Sequence, residues 1–557
     1  MGSGLSFPQA FALLVTVFSL TQWPAVAGLP AGNNSTAREA EVIAATKTSP
    51  APQFSGASLV GIHPGDPLVY ALPVSGERPM TFSARHLPVG LRLDPASGII
   101  TGTLAAAGEY PVSIRVKNAF GTAKTKIKII AGPQLALTPP LGWNSYDAYG
   151  DSVTEAETLA NAAWMAERLQ PFGWDTIVVD FRWYDPHPTG NDYLLNSTRT
   201  GAELAADSLG RLLPAPDRFP SATGGLGFHP LADRLHSMGL KFGIHVMRGI
   251  PRQAVLANLK IGEGDFSASD AGNTSDVCPW CPDMYGVRAN AAGQAWYDSC
   301  ARLWASWGVD YIKVDDLSEP YHAAEIAMIH RAIARVGHAI VFSTSPGPTA
   351  PAHAANIAAN ANLWRISGDF WDRWSKLNHQ FDLLADWQGI AGPGHWPDAD
   401  MIPLGQLAIR SKIDGDSHWT HFTREEQLTL ISLWSLAPSP MMLGMNLPDN
   451  DDWTAALLTN PEVLALDQDS LGHPAKRVLR GNAGTPEVWV RELAGGAHAV
   501  GLFNRTDGVI NATCDWEKLG LPKSPALRDL WLHEELPRQP VFSTVIPPHG
   551  CCLLRLD

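Results

Sequence analysis

One repeated unit limits the fold of this chain more than any other feature of its sequence. Across residues 134–470, an apolar strand that ends in polar residues is followed by a helix with apolar residues three and four positions apart. The strands predicted in this way are LGWNSY (141–146), TIVVDFRWY (176–184), KFGIHVM (241–247), YIKVDD (311–316), AIVFSTSP (339–346), LWRISGD (363–369), HWPDADMI (395–402) and PMMLGM (440–445). Eight alternations of strand and helix predict an α/β fold, a (β/α)8 barrel.

The sequence patterns before and after this region differ from the strand–helix repeat. Residues 28–55 are rich in Ala, Ser, Thr and Pro without sustained periodicity, which predicts a linker. Short alternating runs over residues 56–133 predict an all-β module, and similar runs over residues 471–557 predict a C-terminal antiparallel β-sandwich.

The N-terminus has the form of an export signal. Residues 1–27 contain the apolar run AFALLVTVFSL and then Ala-Val-Ala (25–27), the small-x-small pattern of a signal-peptidase site. No Lys or Arg precedes the run, so an uncleaved N-terminus is the alternative. We expect an exported protein, periplasmic or extracellular. No later apolar run reaches the roughly 18 residues of a membrane span.

The composition limits the kinds of partner that this protein is expected to bind. The formal net charge is −14 and no basic cluster is present, which argues against nucleic acid. The 20 tryptophans are compatible with carbohydrate binding, because aromatic faces stack on sugar rings, although for any one of them a place in the core is the more common outcome. The oligomeric state is not predicted.

The six cysteines fit an oxidising compartment. Cys278 and Cys281 form CPWC, and no second ligand pair follows at the spacing of a metal site. A local disulfide between these two cysteines and a pair of free thiols are both open.

Charged residues come where several predicted strands end. Because the active site of such a barrel lies at the carboxyl ends of its strands, we expect these side chains to meet there. They are Asp180 and Arg182 on the second strand, Lys313, Asp315 and Asp316 on the fourth, Arg365 and Asp369 on the sixth, and Asp398 and Asp400 on the seventh.

Facing carboxylates with interleaved Lys and Arg suit hydrolysis of a glycosidic bond. The sequence has no Gly-rich phosphate loop, no GxSxG and no HExxH. A catalytic metal held by Asp180, Asp315 and His245 is an alternative that the adjacent Lys313 would oppose. We therefore predict no cofactor and no metal.

Several motifs, in this order, resemble glycoside hydrolase family 27, the α-galactosidase or melibiase family. They are TPPLGWNSYDAYG (138–150), YIKVDD, WRISGD, GPGHWPDADM (392–401), SLWSLAPSPMMLGMNL and NPEVLALDQDSLG. The resemblance covers residues 137–557. The run PVGLRLDPASGIITGT (88–103) resembles the immunoglobulin-like modules found beside bacterial glycosidase domains.

The resemblance implies a retaining glycoside hydrolase that releases terminal α-linked galactose from oligosaccharides or polysaccharides. Asp315 matches the family's nucleophile and Asp369 its acid/base, and such a pair places its carboxyls about 5 to 5.5 Å apart. Asp316 is expected to be structural. The residues implied to bind the sugar are Asp180, Lys313, Arg365, Trp143, Tyr146, His245, Ser345, Trp183 and Asp400.

Three departures from the family pattern leave the sugar open. Phe181 stands where many α-galactosidases have a second aspartate, Thr344-Ser345-Pro346 replaces Cys-Glu-Trp, and His245 replaces a tyrosine. The alternatives are an α-N-acetylgalactosaminidase, a β-L-arabinopyranosidase or an isomaltodextranase, or a noncatalytic carbohydrate-binding protein.

Overall fold

Eight parallel strands form the centre of the computed structural model, which describes residues 35–188, 190, 204–262, 264–412, 415–482 and 484–557. They are β1 (Leu141–Asn144), β2 (Thr176–Val179), β3 (Lys241–Met247), β4 (Tyr311–Asp315), β5 (Val341–Thr344), β6 (Leu363–Arg365), β7 (Trp396–Asp398) and β8 (Met441–Leu443). β1 pairs with both β2 and β8, and a parallel bridge between Ile402 and Leu443 joins the chain after β7 to β8. The predicted (β/α)8 barrel is confirmed.

Helices cover the outside of the barrel. The Glu155–Arg168 helix begins with a capping box, in which the Thr154 hydroxyl and the Glu157 carboxylate satisfy two otherwise unpaired N–H groups. The other α-helices among the described residues of this region are Tyr146–Tyr149, His229–Ser237, Arg252–Leu256, Ala268–Ala271, Ala291–Ser306, Ala323–Ile333, Ala354–Asn360, Trp374–Trp387, Arg424–Leu436, Asp452–Leu458 and Pro461–Asp467. Short strands lie among them at Ile250–Pro251, Gly272–Val277, Met284–Val287, Gln406–Leu407 and His418–Trp419.

The N-terminal module is all-β, as the sequence predicts, and forms a β-sandwich. Its sheets have four, three and two strands, and Ile100, Val112 and Ile129 are fully buried in a core of its own. The strands are Gln53–Phe54, Leu59–Ile62, Pro67–Ala71, Val74–Ser75, Thr81–Arg85, Leu91–Leu93, Ile99–Thr103, Gly108–Lys117 and Thr122–Ala131.

This module packs at the amino ends of the barrel strands. A cavity between the two is lined by Leu59 and Tyr70 on one side and by Lys241 and Tyr311, which begin β3 and β4, on the other. The module therefore lies at the opposite end of the barrel from the predicted active site.

The C-terminal region is a second β-sandwich with Trp516, Leu502 and Leu554 in its core. Its strands are Lys476–Leu479, Glu487–Glu492, His498–Phe503, Ile510–Asp515, Leu527–Asp529, Glu534–Leu536, Val541–Ile546 and Cys551–Leu556.

The segment predicted as a linker, residues 28–55, contains a helix, Ser35–Ala45. Val42 is fully buried, and Arg38 reaches both Glu425 of the barrel and the carbonyl oxygen of Cys551 in the C-terminal sandwich. The linker prediction is wrong for these residues. Besides Val42 and Arg38, Glu39 holds the helix to the barrel through Arg424 at 3.1 Å, and an apolar face this short is not detected as a periodic pattern.

The predicted signal segment, residues 1–27, lies outside the described residues. Among the helices that are described, none has the length and apolar character required to cross a membrane.

Candidate active site

A cavity of about 310 Å³ opens at the carboxyl ends of the barrel strands. Eight of the predicted site residues line it: Tyr146, Asp180, Lys313, Asp315, Ser345, Arg365, Asp369 and Asp400. They come from the ends of β1, β2, β4, β5, β6 and β7. Parallel strands in a closed barrel bring these sequence-distant residues to one mouth, as the strand-end pattern predicts.

Asp315 ends β4 and is held as a carboxylate. The Nε2 atom of His245, on the neighbouring strand β3, lies 2.9 Å from its Oδ2 atom. Burial alone would raise the pKa of Asp315, but His245, Lys313 and the Ser345 hydroxyl outweigh burial and hold the pKa well below its usual range. This carboxylate is charged at neutral pH and lines the cavity.

Asp180 and Lys313 form a buried pair beside it. The Nζ atom of Lys313 donates to Oδ2 of Asp180 at 3.0 Å, and Asn144 donates to the same oxygen at 2.6 Å. Burial would raise the pKa of Asp180, but Lys313 and His245 bring it below its usual value. The Lys313 ammonium also lies 5.8 Å from the centre of the Tyr146 ring. A metal held by Asp180, Asp315 and His245 would have to displace this cation.

Arg365 connects the carboxylates of β6 and β7. Its Nη2 atom is 2.7 Å from Oδ2 of Asp400 and 3.4 Å from Oδ1 of Asp369. Burial raises the pKa of Asp400 to about 6, with Asp369 and Asp398 adding to the rise and Arg365 opposing it. The Asp369 side chain is 55% exposed at the rim. It can therefore exchange protons with solvent, whereas Asp400 is enclosed.

Two predicted sugar-binding residues do not reach the cavity. Trp143 is fully buried and donates from its indole nitrogen to the carbonyl oxygen of Met445 at 2.7 Å. Trp183 is also fully buried, donates to the carbonyl oxygen of His245 and packs edge-on against Phe228 and Trp307. Both predictions are wrong, because these indoles fill the core under the site.

The sugar-binding role predicted for His245 is also wrong. It is fully buried beneath Asp315 and does not line the cavity, so its contact is with the carboxylate and not with a ligand. Asp316 is turned away from the cavity at φ 64° and pairs with Arg248 at 2.7 Å, which agrees with the structural role predicted for it.

Cys278 and Cys281 are buried free thiols, so the disulfide alternative is contradicted. Between them, Trp280 lines the cavity together with Phe181, at 6.0 Å between ring centroids. CPWC thus supplies an aromatic wall of the cleft. Sequence reasoning treated this motif only as a thiol pair and missed its tryptophan.

Asp147 is a further cavity residue that sequence reasoning missed. Burial raises its pKa well above the usual range, with Asp400 adding to the rise, and within the described residues its Oδ2 atom has no hydrogen-bond partner. A buried carboxyl group whose pKa is raised therefore lines the site from the turn after β1. The available signal was its place in WNSYD, directly after Tyr146.

Comparison with known proteins agrees with this geometry. Residues 286–469 match the family model described as alpha galactosidase A, residues 483–556 match the alpha galactosidase C-terminal beta sandwich domain, and residues 51–131 match an Ig domain. Alpha-galactosidase 2 of Arabidopsis thaliana is 30% identical over 76% of the chain and 90% of its own length. The alpha-galactosidase of Coffea arabica is 31% identical over 72% of the chain and 88% of its own length.

Among solved structures, a family 27 β-L-arabinopyranosidase from Geobacillus stearothermophilus is 45% identical over 76% of the chain and 97% of its own length, with a TM-score of 0.73. A second structure of that protein was solved in complex with arabinose.

Proposed function

Because the chain belongs to glycoside hydrolase family 27, the α-galactosidase family, and is a glycosidase that acts on carbohydrate, we propose that it releases terminal α-linked galactose with retention of configuration. Asp315 is the nucleophile and Asp369 is the acid/base. The observation that carries this proposal is a carboxylate held ionised by His245 and Lys313, on the wall of the same cavity as a solvent-accessible carboxyl group.

The reaction has two displacements. In the first, Oδ of Asp315 attacks the anomeric carbon, the glycosidic bond breaks, and Asp369 gives its proton to the departing oxygen. In the second, Asp369 takes a proton from water, the water oxygen attacks the anomeric carbon, and the bond to Asp315 breaks. Two inversions leave the anomeric configuration unchanged.

The charged wall binds the sugar hydroxyls. Lys313 and Arg365 can donate to hydroxyl oxygens, and Asp180 and Asp400 can accept from hydroxyl groups. Because each of these side chains is already hydrogen-bonded to a neighbour, the wall keeps one geometry before the sugar binds. Ser345 lies beside Arg365, with 3.5 Å between Oγ and Nη1, and is the predicted contact on the β5 side.

A second candidate substrate is a β-L-arabinopyranoside. This sugar has the ring hydroxyl configuration of an α-D-galactopyranoside but lacks the hydroxymethyl group on C5. Phe181, which lines the cavity beside Trp280, offers no hydrogen bond to that group. The 45% identity to a β-L-arabinopyranosidase supports the same alternative.

The test is hydrolysis of a panel of p-nitrophenyl glycosides: α-D-galactoside, β-L-arabinopyranoside, α-N-acetylgalactosaminide and α-glucoside. The proposal expects the highest kcat/KM on the first, and the second candidate expects it on the arabinoside. NMR of the first-formed product must give the anomer of the substrate. Binding without turnover of any glycoside would indicate a noncatalytic protein.

Substitution of the nucleophile tests the residue assignment. Asp315→Asn keeps the size of the side chain and removes its charge, so kcat should fall by about a thousandfold or more. Asp386→Asn, an exposed carboxylate on the helix after β6, is the matched control and should retain wild-type turnover. Near-wild-type activity of Asp315→Asn would overturn the assignment.

Export to the periplasm or the medium is also proposed, supported by the apolar run of residues 10–20 and the Ala-Val-Ala at 25–27. N-terminal sequencing of protein recovered outside the cytoplasm should give a start at or beside Gly28.

A further inference from the structure

At the rim of the active-site cleft, three side chains from two loops come together. Asp372 follows Trp371, which lines the cleft, and His418 and His421 belong to the hairpin formed by Gln406–Leu407 and His418–Trp419 and the residues just after it. Oδ2 of Asp372 is 3.1 Å from Nε2 of His418 and 3.0 Å from Nδ1 of His421. We propose that these three residues bind a divalent transition-metal ion, with Zn²⁺ as the first choice.

The distances are close to those of a metal-bound set. Tetrahedral zinc has ligands at about 2.0–2.1 Å, which places neighbouring ligand atoms roughly 3.3 Å apart. The three ligand atoms lie within 4.8 Å of one another. The two imidazole rings are stacked, with 4.2 Å between centroids and 18° between planes, so the rings must turn apart before both lone pairs point at one ion. Three protein ligands would then leave one position for water.

The hydrogen bonding of His418 orients a lone pair toward the site. Its Nδ1 atom is 2.7 Å from the carbonyl oxygen of Asp416. A carbonyl only accepts, so Nδ1 carries the proton, and the neutral ring then presents an unprotonated Nε2 atom to the Asp372 carboxylate. Two acceptors facing each other require a cation or a proton between them. A backbone carbonyl that fixes the tautomer is the usual outer partner of a metal-binding histidine.

Asp372 has the properties of a buried ligand. Its side chain is fully buried, and within the part of the chain that the structure describes, its Oδ1 atom has no hydrogen-bond partner. Both of its ion-pair contacts among those residues are with the two histidines. Its Oδ2 atom also accepts the backbone N–H of His421 at 2.7 Å. Within the described residues no lysine or arginine is paired with this carboxylate, so the two imidazoles, or an ion held with them, face its charge.

A second cluster shows why this one is different. Asp276, His322 and Glu325 are also within metal-binding distance of one another, but Arg248 bonds to both carboxylates, at 2.9 and 2.7 Å. The arginine already supplies the positive charge there. In the part of the chain that the structure describes, Asp372 pairs with the two histidines and with no arginine. Two imidazoles and one carboxylate favour zinc and other first-row metals over Ca²⁺ or Mg²⁺, which prefer oxygen ligands.

The consequence of binding concerns the loop after β6. The ion would join the hairpin to the segment Asp369–Asp372, which carries the proposed acid/base and an aromatic wall residue of the cleft. His421 is 59% exposed, so the ion can enter from solvent. The role is to hold this segment in place, without a part in bond cleavage.

The experiment uses the full chain without a polyhistidine tag. Protein stripped with EDTA is titrated with Zn²⁺ by calorimetry, and metal content after dialysis is measured by mass spectrometry. We expect one equivalent per chain and a rise in Tm on zinc addition. Co²⁺ in place of Zn²⁺ should give the visible absorption of a four-coordinate site.

Variants locate the ion. Asp372→Asn, His418→Gln and His421→Gln should each weaken zinc binding by about tenfold or more and abolish the Tm rise. His229→Gln, an exposed histidine that also lies beside a carboxylate, Asp233, is the matched control and should bind like wild type. His421→Gln is exposed enough to fold if a buried variant does not.

Two outcomes would overturn the proposal. Zinc binding by all three variants as tight as that of wild type would place the ion elsewhere. Absence of stoichiometric binding to wild type would leave only hydrogen bonds between the imidazoles and the carboxylate. Hydrolytic activity is measured separately on stripped protein, so failure of the metal proposal leaves the proposed function intact.

Discussion

The imidazole of His245 lies beneath the carboxylate of Asp315, with 2.9 Å between Nε2 and Oδ2, and has no exposed surface of its own. The two residues are on adjacent strands, and the register pairs His245 with Lys313, two residues before Asp315. A buried side chain of the barrel, and not a bound sugar, therefore stabilises the negative charge of the proposed nucleophile.

The first prediction concerns this contact. His245→Phe removes the partner that most strongly lowers the pKa of Asp315, so that pKa should rise. The acidic limb of the kcat/KM profile should then move to higher pH, with about tenfold lower kcat/KM at the acidic end, since one pKa unit is tenfold in ionised fraction. If the acidic limb of the profile stays at the same pH in His245→Phe, His245 does not lower the pKa of Asp315.

His245→Phe should also lower the free energy of unfolding. The folded pKa of Asp315 is below the unfolded value of about 3.9, so its contribution to stability is complete above that value and is lost as the pH falls toward the folded pKa. His245→Phe should lose part of that contribution. The difference in acid-unfolding midpoint between the two proteins, followed by circular dichroism, measures it.

The second prediction separates the acid/base from the nucleophile. Asp369→Asn cannot protonate the leaving group, so it should lose about a hundredfold or more in kcat/KM on natural oligosaccharides. It should lose far less on 2,4-dinitrophenyl glycosides, whose leaving group needs no proton. Azide should accelerate the variant, because an anion can attack without a base. Equal losses on both kinds of substrate would argue against an acid/base role.

The third prediction tests the sugar. Phe181→Asp puts a hydrogen-bond acceptor next to Asp180 at the cavity wall. The ratio of kcat/KM for α-D-galactoside over β-L-arabinopyranoside should rise by about tenfold to a hundredfold, because only the galactoside has a hydroxymethyl group to bind. Phe181→Leu keeps an apolar wall and should leave the ratio nearly unchanged. If the ratio changes equally in both variants, the space beside the sugar, and not hydrogen bonding, determines the preference between the two substrates.

The fourth prediction concerns the helix Ser35–Ala45. Val42→Ala removes most of a fully buried side chain at the contact with the barrel. The free energy of unfolding should fall by at most about 1.5–3 kcal/mol, the value for burying a whole valine side chain. Glu41→Ala, on the exposed side of the same helix, is the control. Urea unfolding curves compare the two. Identical midpoints would mean that this helix is not docked in solution.

Much of the architecture could be read from the sequence because it depends on periodicity. The eight strands occur where alternating strand and helix patterns predict them, and most of the charges at their ends come together because parallel strands in one barrel share an end. Arg182, which pairs with Asp283, and Asp398 were expected there too but do not line the cavity. This reasoning reached Lys313, Asp315, Arg365 and Asp369 without coordinates.

What the pattern could not decide is which neighbour of a site residue faces the cavity. Trp143 and Tyr146 are three residues apart in one motif, yet the first is core and the second is wall. Side-chain direction at the end of a strand changes with each residue and with the turn that follows, so an indole near a site can be its floor or its surface.

By itself, the sequence determined the barrel, the two flanking β regions and the strand ends at which charge collects, since these depend on local period and chain order. Only the tertiary structure decided that His245 lies beneath Asp315, that Trp280 packs beside Phe181 on the cavity wall, and that Asp372 meets His418 and His421. Each of these contacts joins residues from separate strands or loops. Their distance is fixed by the packing of the whole barrel and has no signature along the chain.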